Sequence, residues 1–348
     1  MKYVNHNEVE KILLRILIEY GVELMVAKNT VSGLIHSSLR GVDSHGIRLF
    51  FHYLNSLNSG RINPKPKFKF QQTSKSTGLL DADHTFGHAA GIEAMKYSIE
   101  LSKKSGSGHI AVKNSSHCGA LAYFALEACK EDMLGVAYTH ATSRLKNANG
   151  RTNFFGNNPI CVAAPMSEEE PFCYDGANSL ITFNEVRRYK DLGLKLPDGL
   201  VADKDGNYTT DPNEAAQLIP IGDYKGFALS MVVEIFCGLF TGMPVGKDVS
   251  QMFGDELILK QKRYLGQFYS SFNIEKFLPK EIFKKRIQGL AKILRNEPAI
   301  NSYKPVMIPG DPEKNNMKQR LENGIPVPDE DFERFKKIEK KYLNQDIL

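Results

Sequence analysis

The chain has no tryptophan, only five cysteines in 348 residues, and no unbroken apolar stretch of the roughly 18 residues that a membrane-crossing helix needs. Its N-terminus, MKYVNHNEVEK, lacks the apolar segment of a secretory signal, so the expected location is the cytoplasm and no membrane partner is expected. Cys118, Cys129, Cys161, Cys173 and Cys237 are odd in number, scattered and free of any C-x-x-C spacing. That excludes a disulfide framework and a cysteine-type zinc site, leaving reduced thiols that are mostly buried. Walker A, H-E-x-x-H, G-x-S-x-G and EF-hand patterns are all missing, which removes the commonest phosphotransfer, zinc-protease and serine-hydrolase chemistries. One glycine pattern, Gly106-Ser107-Gly108-His109-Ile110-Ala111, has the looser G-x-G-x-x-A form. It follows a helix and leads into a strand, the reverse of the order a dinucleotide phosphate cradle requires, and reads as a helix-ending turn.

Charge of one sign is scarce as well. The net +5 lies wholly after residue 254, where nineteen Lys and Arg face fourteen Asp and Glu. These charges interleave, as in KEIFKKRIQGLAKILRNE, which describes a solvated helix rather than a nucleic-acid surface. His84 and His88 at i,i+4 are interrupted by Gly87 and lack further ligands, so no metal site is expected.

What is present is ordinary globular material, 42% hydrophobic, enough for a large core or two modest domains. Val9, Ile12, Leu13, Ile16, Leu17 and Tyr20 form one helical stripe stopped by Gly21, and a second helix runs from about 24 to 39. A linker at Ser59 to Pro66 suggests a boundary near residue 70. Beyond it, helix and strand patterns alternate: a helix over 88–103, strands at 109–113 and 134–138, and a helix over 120–131 between them. Residues 145–210 read as irregular. FALSMVVEIFCGLF, opened by Lys225-Gly226, is a helix apolar nearly all round, to be buried on most sides. Charged helices follow at about 279–296 and 329–343, with a strand-like Val306-Met307-Ile308 between them.

Two histidines stand in runs of small residues: Asp43-Ser44-His45-Gly46, with Arg48 beyond, and Asn114-Ser115-Ser116-His117-Cys118-Gly119. Small neighbours leave an imidazole reachable, and imidazole exchanges a proton near neutral pH. Each histidine also has a purely structural reading as a buried, hydrogen-bonded residue. Cys118 beside His117 suggests a Cys–His nucleophile, but adjacent side chains seldom face each other and no oxyanion apparatus is readable. Arg48 suits either a surface ion pair or a substrate carboxylate. The helix start at Gly119-Ala120-Leu121 is placed to receive an anion such as a cofactor phosphate.

Taken in order, Gly41 to Gly46, Tyr53, Gly60-Arg61-Ile62-Asn63-Pro64, Asn114 to Gly119, Gly156-Asn157-Asn158-Pro159, Thr210-Asp211-Pro212, Asp223 to Leu229, Leu239-Phe240-Thr241-Gly242 and Ile308-Pro309-Gly310-Asp311 resemble the malate/L-lactate dehydrogenase, or sulfolactate-dehydrogenase-like, family. The resemblance runs from about residue 5 to 335. It implies an α/β (α+β) fold with a non-Rossmann NAD(P)-binding domain, built on a largely antiparallel mixed sheet over 71–254. A helical domain made from both chain ends, 1–70 and 255–348, completes it, and the implied assembly is a homodimer.

The implied activity is hydride transfer between NAD or NADP and a small 2-hydroxy or 2-oxo acid. His45 resembles the proton donor with Ser44 in a relay, and His117 resembles the histidine that some members use as acid/base. Gly119, Ala120 and Leu121, with Gly176, Ala177, Asn178, Ser179, Lys225, Gly226, Gly310 and Asp311, resemble cofactor contacts. The family's arginine four places after the first histidine is Leu49 here, and Arg48 falls one earlier. Two alternatives stay open: an imine reductase on the same scaffold, and a nucleotide-binding homologue without chemistry.

Overall fold

Both ends of the chain meet in one helical layer. In this computed structural model, which describes residues 1–343, strand β1 (Lys2–Val4) pairs antiparallel with β14 (Ile325–Val327). Helices α1 (His6–Glu19), α2 (Leu24–Leu39), α3 (Phe50–Asn58) and α11 (Asp329–Leu343) lie around them. The expected stripe of α1, Val9 to Leu17, is buried against Leu34, Phe50, Tyr53, Ile325 and Phe335, so apolar periodicity dictates its orientation. Asn5 caps α1 by accepting from the amides of Asn7 and Glu8.

The middle of the molecule is a seven-stranded mixed sheet in the order β2 (Lys69–Gln72), β3 (Thr77–Asp81), β4 (Ser107–Ser115), β13 (Leu265–Asn273), β5 (Met133–Thr139), β8 (Ile160–Ala164) and β9 (Phe172–Gly176). Only the β3–β4 pairing is parallel. Alternation along the strands sorts side chains to two faces. Ile110, Val112, Ala137 and Tyr269 pack under α4 (Gly87–Ser105) and α5 (Ala122–Cys129), whereas Ala111, Tyr138 and Phe268 pack under α7 (Tyr224–Glu234). The glycine pattern at 106–111 is the turn between α4 and β4, as read from the sequence.

Four expectations need correcting. The segment after residue 254 is not wholly helical: besides α8 (Glu256–Lys260), α9 (Lys280–Arg295) and α10 (Asp311–Asn323), it supplies β13 to the centre of the sheet. Residues 145–210 are not irregular, and the ordered segment continues to 218. They hold α6 (Phe183–Asp191) and a five-stranded sheet, β11 (Tyr208–Thr209), β10 (Val201–Ala202), β12 (Gln217–Leu218), β6 (Leu145–Lys146) and β7 (Asn153–Phe155), around Leu145, Val186, Val201 and Leu218. Val306 to Ile308 form no strand. Finally, α7 continues into a π turn at Ile235–Leu239, and the run is not buried on most sides: Leu229, Met231, Val232, Leu239 and Phe240 face outward.

Candidate active site

The site forms where the helical layer meets the sheet. After α2 the chain turns through Gly41 into a short 3-10 segment, Asp43–His45. Asp43 is held by the Arg320 guanidinium of α10, with Nη2 donating to Oδ2 at 2.9 Å. Gly46 lies so close to α2 that a Cβ there would stand 2.1 Å from Ser38 Oγ, which accepts from the Ile47 amide. Glycine is required to bring His45 back over α2.

His117 arrives from the end of β4. Ser115 Oγ donates to Gln267 Oε1 and Gln267 Nε2 donates to the Ser116 carbonyl, tying the loop to β13. Gly119 has φ +72°, and a Cβ there would lie 2.5 Å from His88 Nε2, so the small residues around His117 reflect a backbone packed over a buried ring.

The two imidazoles converge. Their ring centroids are 5.7 Å apart and nearly parallel, at 19°. Ser44 Oγ lies 2.8 Å from His45 Nδ1, and Tyr53 Oη lies 2.7 Å from His117 Nδ1. Burial pushes His45 down to about 4. His117 is held well below the ordinary imidazole value by burial first and then by the neighbouring charges of His45, His52, His88 and Arg263. Both rings are therefore neutral at pH 7, and a proton on one disfavours a proton on the other. Burial raises Tyr53 well above 10, so it stays an intact hydroxyl. Cys118 is buried and pushed up to about 12, which leaves it a thiol and disposes of the Cys–His nucleophile.

Sequence reasoning missed the most telling cation. Arg263 is 4% exposed; its Nη2 donates to Thr142 Oγ1, while Nε and Nη1 have no partner. Burial and the nearby Arg61 lower its pKa to about 9, and its charge acts on both Tyr53 and His117. In Gln261-Lys262-Arg263-Tyr264 nothing distinguishes it from a surface arginine. Tyr53, seen only as one member of a motif series, likewise gave no sign that it would hold His117.

A cavity of about 150 Å³ opens at His45, lined by Ser44, His45, Gly119, Ala120, Leu121 and Ala177, with Asp175 and Arg40. It shares His36 and Arg40 with a cleft of about 500 Å³. At that junction His36 Nδ1 and Arg40 Nε have no hydrogen-bond partner. The helix start at α5 is not free for a phosphate, contrary to expectation: the Ala122 amide donates to Asp175 Oδ2 at 2.8 Å. Desolvation raises the Asp175 carboxyl to about 6 against those amide bonds.

Most other expected contacts lie elsewhere in the chain. Arg48 pairs with Asp331 at 2.6 Å on the surface, and Leu49 is buried in the helical core. Asn178 donates to the Asn158 carbonyl and Ser179 to the Ile181 carbonyl, so both brace a turn. Gly176 ends β9 at the cavity's rim, between Asp175 and Ala177. Lys225 is exposed at the start of α7 and Gly226 packs on Ile221. Gly310 approaches the Cys173 backbone, while Asp311 is bound by Arg295.

Comparison with known proteins gives one consistent result. Residues 4–336 match the sequence model of the malate/L-lactate dehydrogenase family. A malate dehydrogenase of Pyrococcus abyssi is 31% identical over 331 residues, covering 92% of this chain and 90% of that one. An L-sulfolactate dehydrogenase of Methanocaldococcus jannaschii is 29% identical, covering 94% of each. The crystal structure of malate dehydrogenase from Entamoeba histolytica matches with a TM-score of 0.93 at 28% identity over 99% of both chains.

Proposed function

The chain belongs to the malate/L-lactate dehydrogenase family and is an oxidoreductase of the hydroxy/oxo acid class, and from that premise we propose that His45 and His117 are its proton-transfer centre. The observation that carries this reading is the stacked, neutral imidazole pair beside an unpaired buried guanidinium.

Oxidation of a 2-hydroxy acid requires the hydroxyl proton to leave as the carbinol carbon loses a hydride. NAD or NADP, when bound, supplies the acceptor for that hydride. A neutral imidazole is the base. Ser44 Oγ and Tyr53 Oη can each give or take a hydrogen bond, so either ring can present a lone pair or an N–H to the substrate oxygen. Because the rings are 5.7 Å apart, one proton is held by the pair at a time, and the substrate carboxylate, seated on Arg263, offsets the positive charge so formed.

The residues suited to a dinucleotide line the two connected cavities. Arg40, whose Nε has no partner although Nη1 pairs with Glu170, would hold the phosphates; Ala120, Leu121 and Ala177 would form an apolar wall; and Asp175 would accept from ribose hydroxyls. Lys225, Gly226, Gly310 and Asp311 take part only through the second subunit or the adenosine end. The assembly is a homodimer, closed over the apolar outer face of α7 and its π turn. Five buried free thiols suit a reducing compartment such as the cytoplasm.

The test is a steady-state assay of the wild-type protein with NADH and with NADPH against pyruvate, oxaloacetate and piperideine-2-carboxylate. Reduction of an oxo acid is expected with at least one nucleotide. Reduction of the cyclic imine alone would convert the reading to an imine reductase, and nucleotide binding without turnover to an inactive homologue. In Arg263→Gln the KM for the oxo acid should rise at least about tenfold, the order expected when a charged hydrogen bond is lost.

A further inference from the structure

Strand β13 loses its register with β4 at one point. Gly266 stands opposite two residues of β4, Lys113 and Asn114, between the pairs Leu265–Ser115 and Gln267–Val112, and Asn114 has a φ of +52°. Such a bulge re-aims the side chains beside it. Only glycine fits at 266, because a Cβ there would collide with the Cys237 carbonyl oxygen of the π turn. The Gly266 amide goes to a side chain. His140, one residue past the end of β5 and opposite Gly266 in the β5–β13 register, accepts it at Nε2 over 2.8 Å.

An accepting Nε2 leaves the ring proton to Nδ1. Nδ1 faces Glu234 Oε2 at 3.6 Å, beyond hydrogen-bond length but near enough for the carboxylate to favour a proton there. Glu234 ends α7 where it passes into the π turn, and is 3% exposed. Among the described residues no lysine or arginine pairs with it. Its oxygens accept from Asn158 Nδ2 at 2.9 Å and from the Gly246 amide at 3.2 Å. A carboxylate buried without a cation is costly and persists only where N–H groups are aimed at it, so these donors fix its orientation.

Both ends of this chain of contacts reach the candidate site. Gly266 precedes Gln267, whose side chain holds Ser115 and Ser116 just before His117. Asn158 also accepts from the Ala141 amide, and its carbonyl receives Asn178, the neighbour of Ala177 in the His45 cavity. Neither His140 nor Glu234 lines that cavity, so neither can act on a substrate directly.

We propose that His140 and Glu234 are positioning residues for the imidazole pair: the carboxylate fixes the tautomer of His140, His140 holds the Gly266 amide, and the strand so anchored aims Gln267 at the His117 loop. This rests on the reading of His45 and His117 as the proton-transfer centre. A reacting group displaced by even a fraction of an ångström loses rate while binding is little affected.

The test joins spectra of the protein carrying ¹⁵N-labelled histidine to steady-state kinetics. His140, identified among the nine histidines by the signals lost in His140→Gln, should carry its proton on Nδ1; a proton on Nε2 overturns the proposal. In His140→Leu kcat should fall at least about tenfold, with KM and the NADH dissociation constant changed only a few-fold, and the His117 signals should move. His140→Gln, whose amide oxygen can still accept from Gly266, should restore most of the rate and of the His117 signals. Unchanged kcat and His117 signals in His140→Leu, a loss carried by KM, or a glutamine variant as impaired as the leucine one each overturns it. Should His140→Leu not fold, the isosteric Glu234→Gln takes its place, with the same kcat loss and a mixed His140 tautomer expected, and wild-type behaviour in it is contradictory. If the wild-type protein reduces none of the substrates above, the dehydrogenase reading fails on its own, and the tautomer and the His117 signals, which need no turnover, still decide this one.

Discussion

His36, His45, His52 and His88 all sit where protein replaces water, and each loses basicity for that reason first. His36 and His88 fall to about 3, His45 and His52 to about 4. A histidine that binds its proton less tightly in the fold than in the unfolded chain contributes stability that is complete above its ordinary value of 6.5. That contribution is lost as pH falls through the folded value. Asp175 has the opposite sign: raised to about 6 from 3.8, it adds stability as pH falls between those values. Four histidines outweigh one carboxyl. Urea unfolding should therefore show stability declining from pH 6.5 toward 4.5, and a shallower decline in His88→Leu; a flat profile would contradict the burial argument. At this scale the small residues around His45 and His117 marked two turns that the fold brings together, although their size reflects close backbone packing rather than an open ring. Arg263 was not legible, because only a tertiary environment separates a buried arginine from a surface one.

At the scale of elements, α1, α4, β4, β5, α9 and α11 follow the apolar periodicity of their sequences. The small sheet did not announce itself, since four of its five strands, β6, β10, β11 and β12, are two residues long and too short to display alternation. Strand β13, LGQFYSSFN in sequence, carries polar Gln267, Ser270 and Ser271 into the core, which masked a central strand. For α7 and its π turn the composition demanded burial, yet the sheet covers Val233, Phe236 and Cys237 and leaves the opposite side of the run open. Leu239 is 64% and Met231 53% exposed. A second copy is the occupant we propose for that face. Sedimentation of the wild-type protein should give twice 39.0 kDa, and Met231→Asp with Leu239→Asp should weaken association at least about tenfold. A monomeric wild type, or a dimer undisturbed in the double variant, contradicts this.

On the scale of the whole molecule, the mixed α/β character with a mixed sheet was readable. The boundary at residue 255 was not, because β13 returns from the second helical segment into the sheet before α9 leaves it again. That return also places the site: Gln267 on β13 holds the His117 loop, and Arg263 immediately precedes the strand. Helical layer and sheet each supply one imidazole of the proposed proton-transfer centre. The most direct test is single-turnover reduction of an oxo acid by NADH or NADPH in His45→Ala and His117→Ala, with nucleotide binding followed in parallel by fluorescence. The account predicts a rate at least about 100-fold below wild type in one or both variants, with nucleotide affinity changed only a few-fold. Wild-type rates in both variants would contradict it.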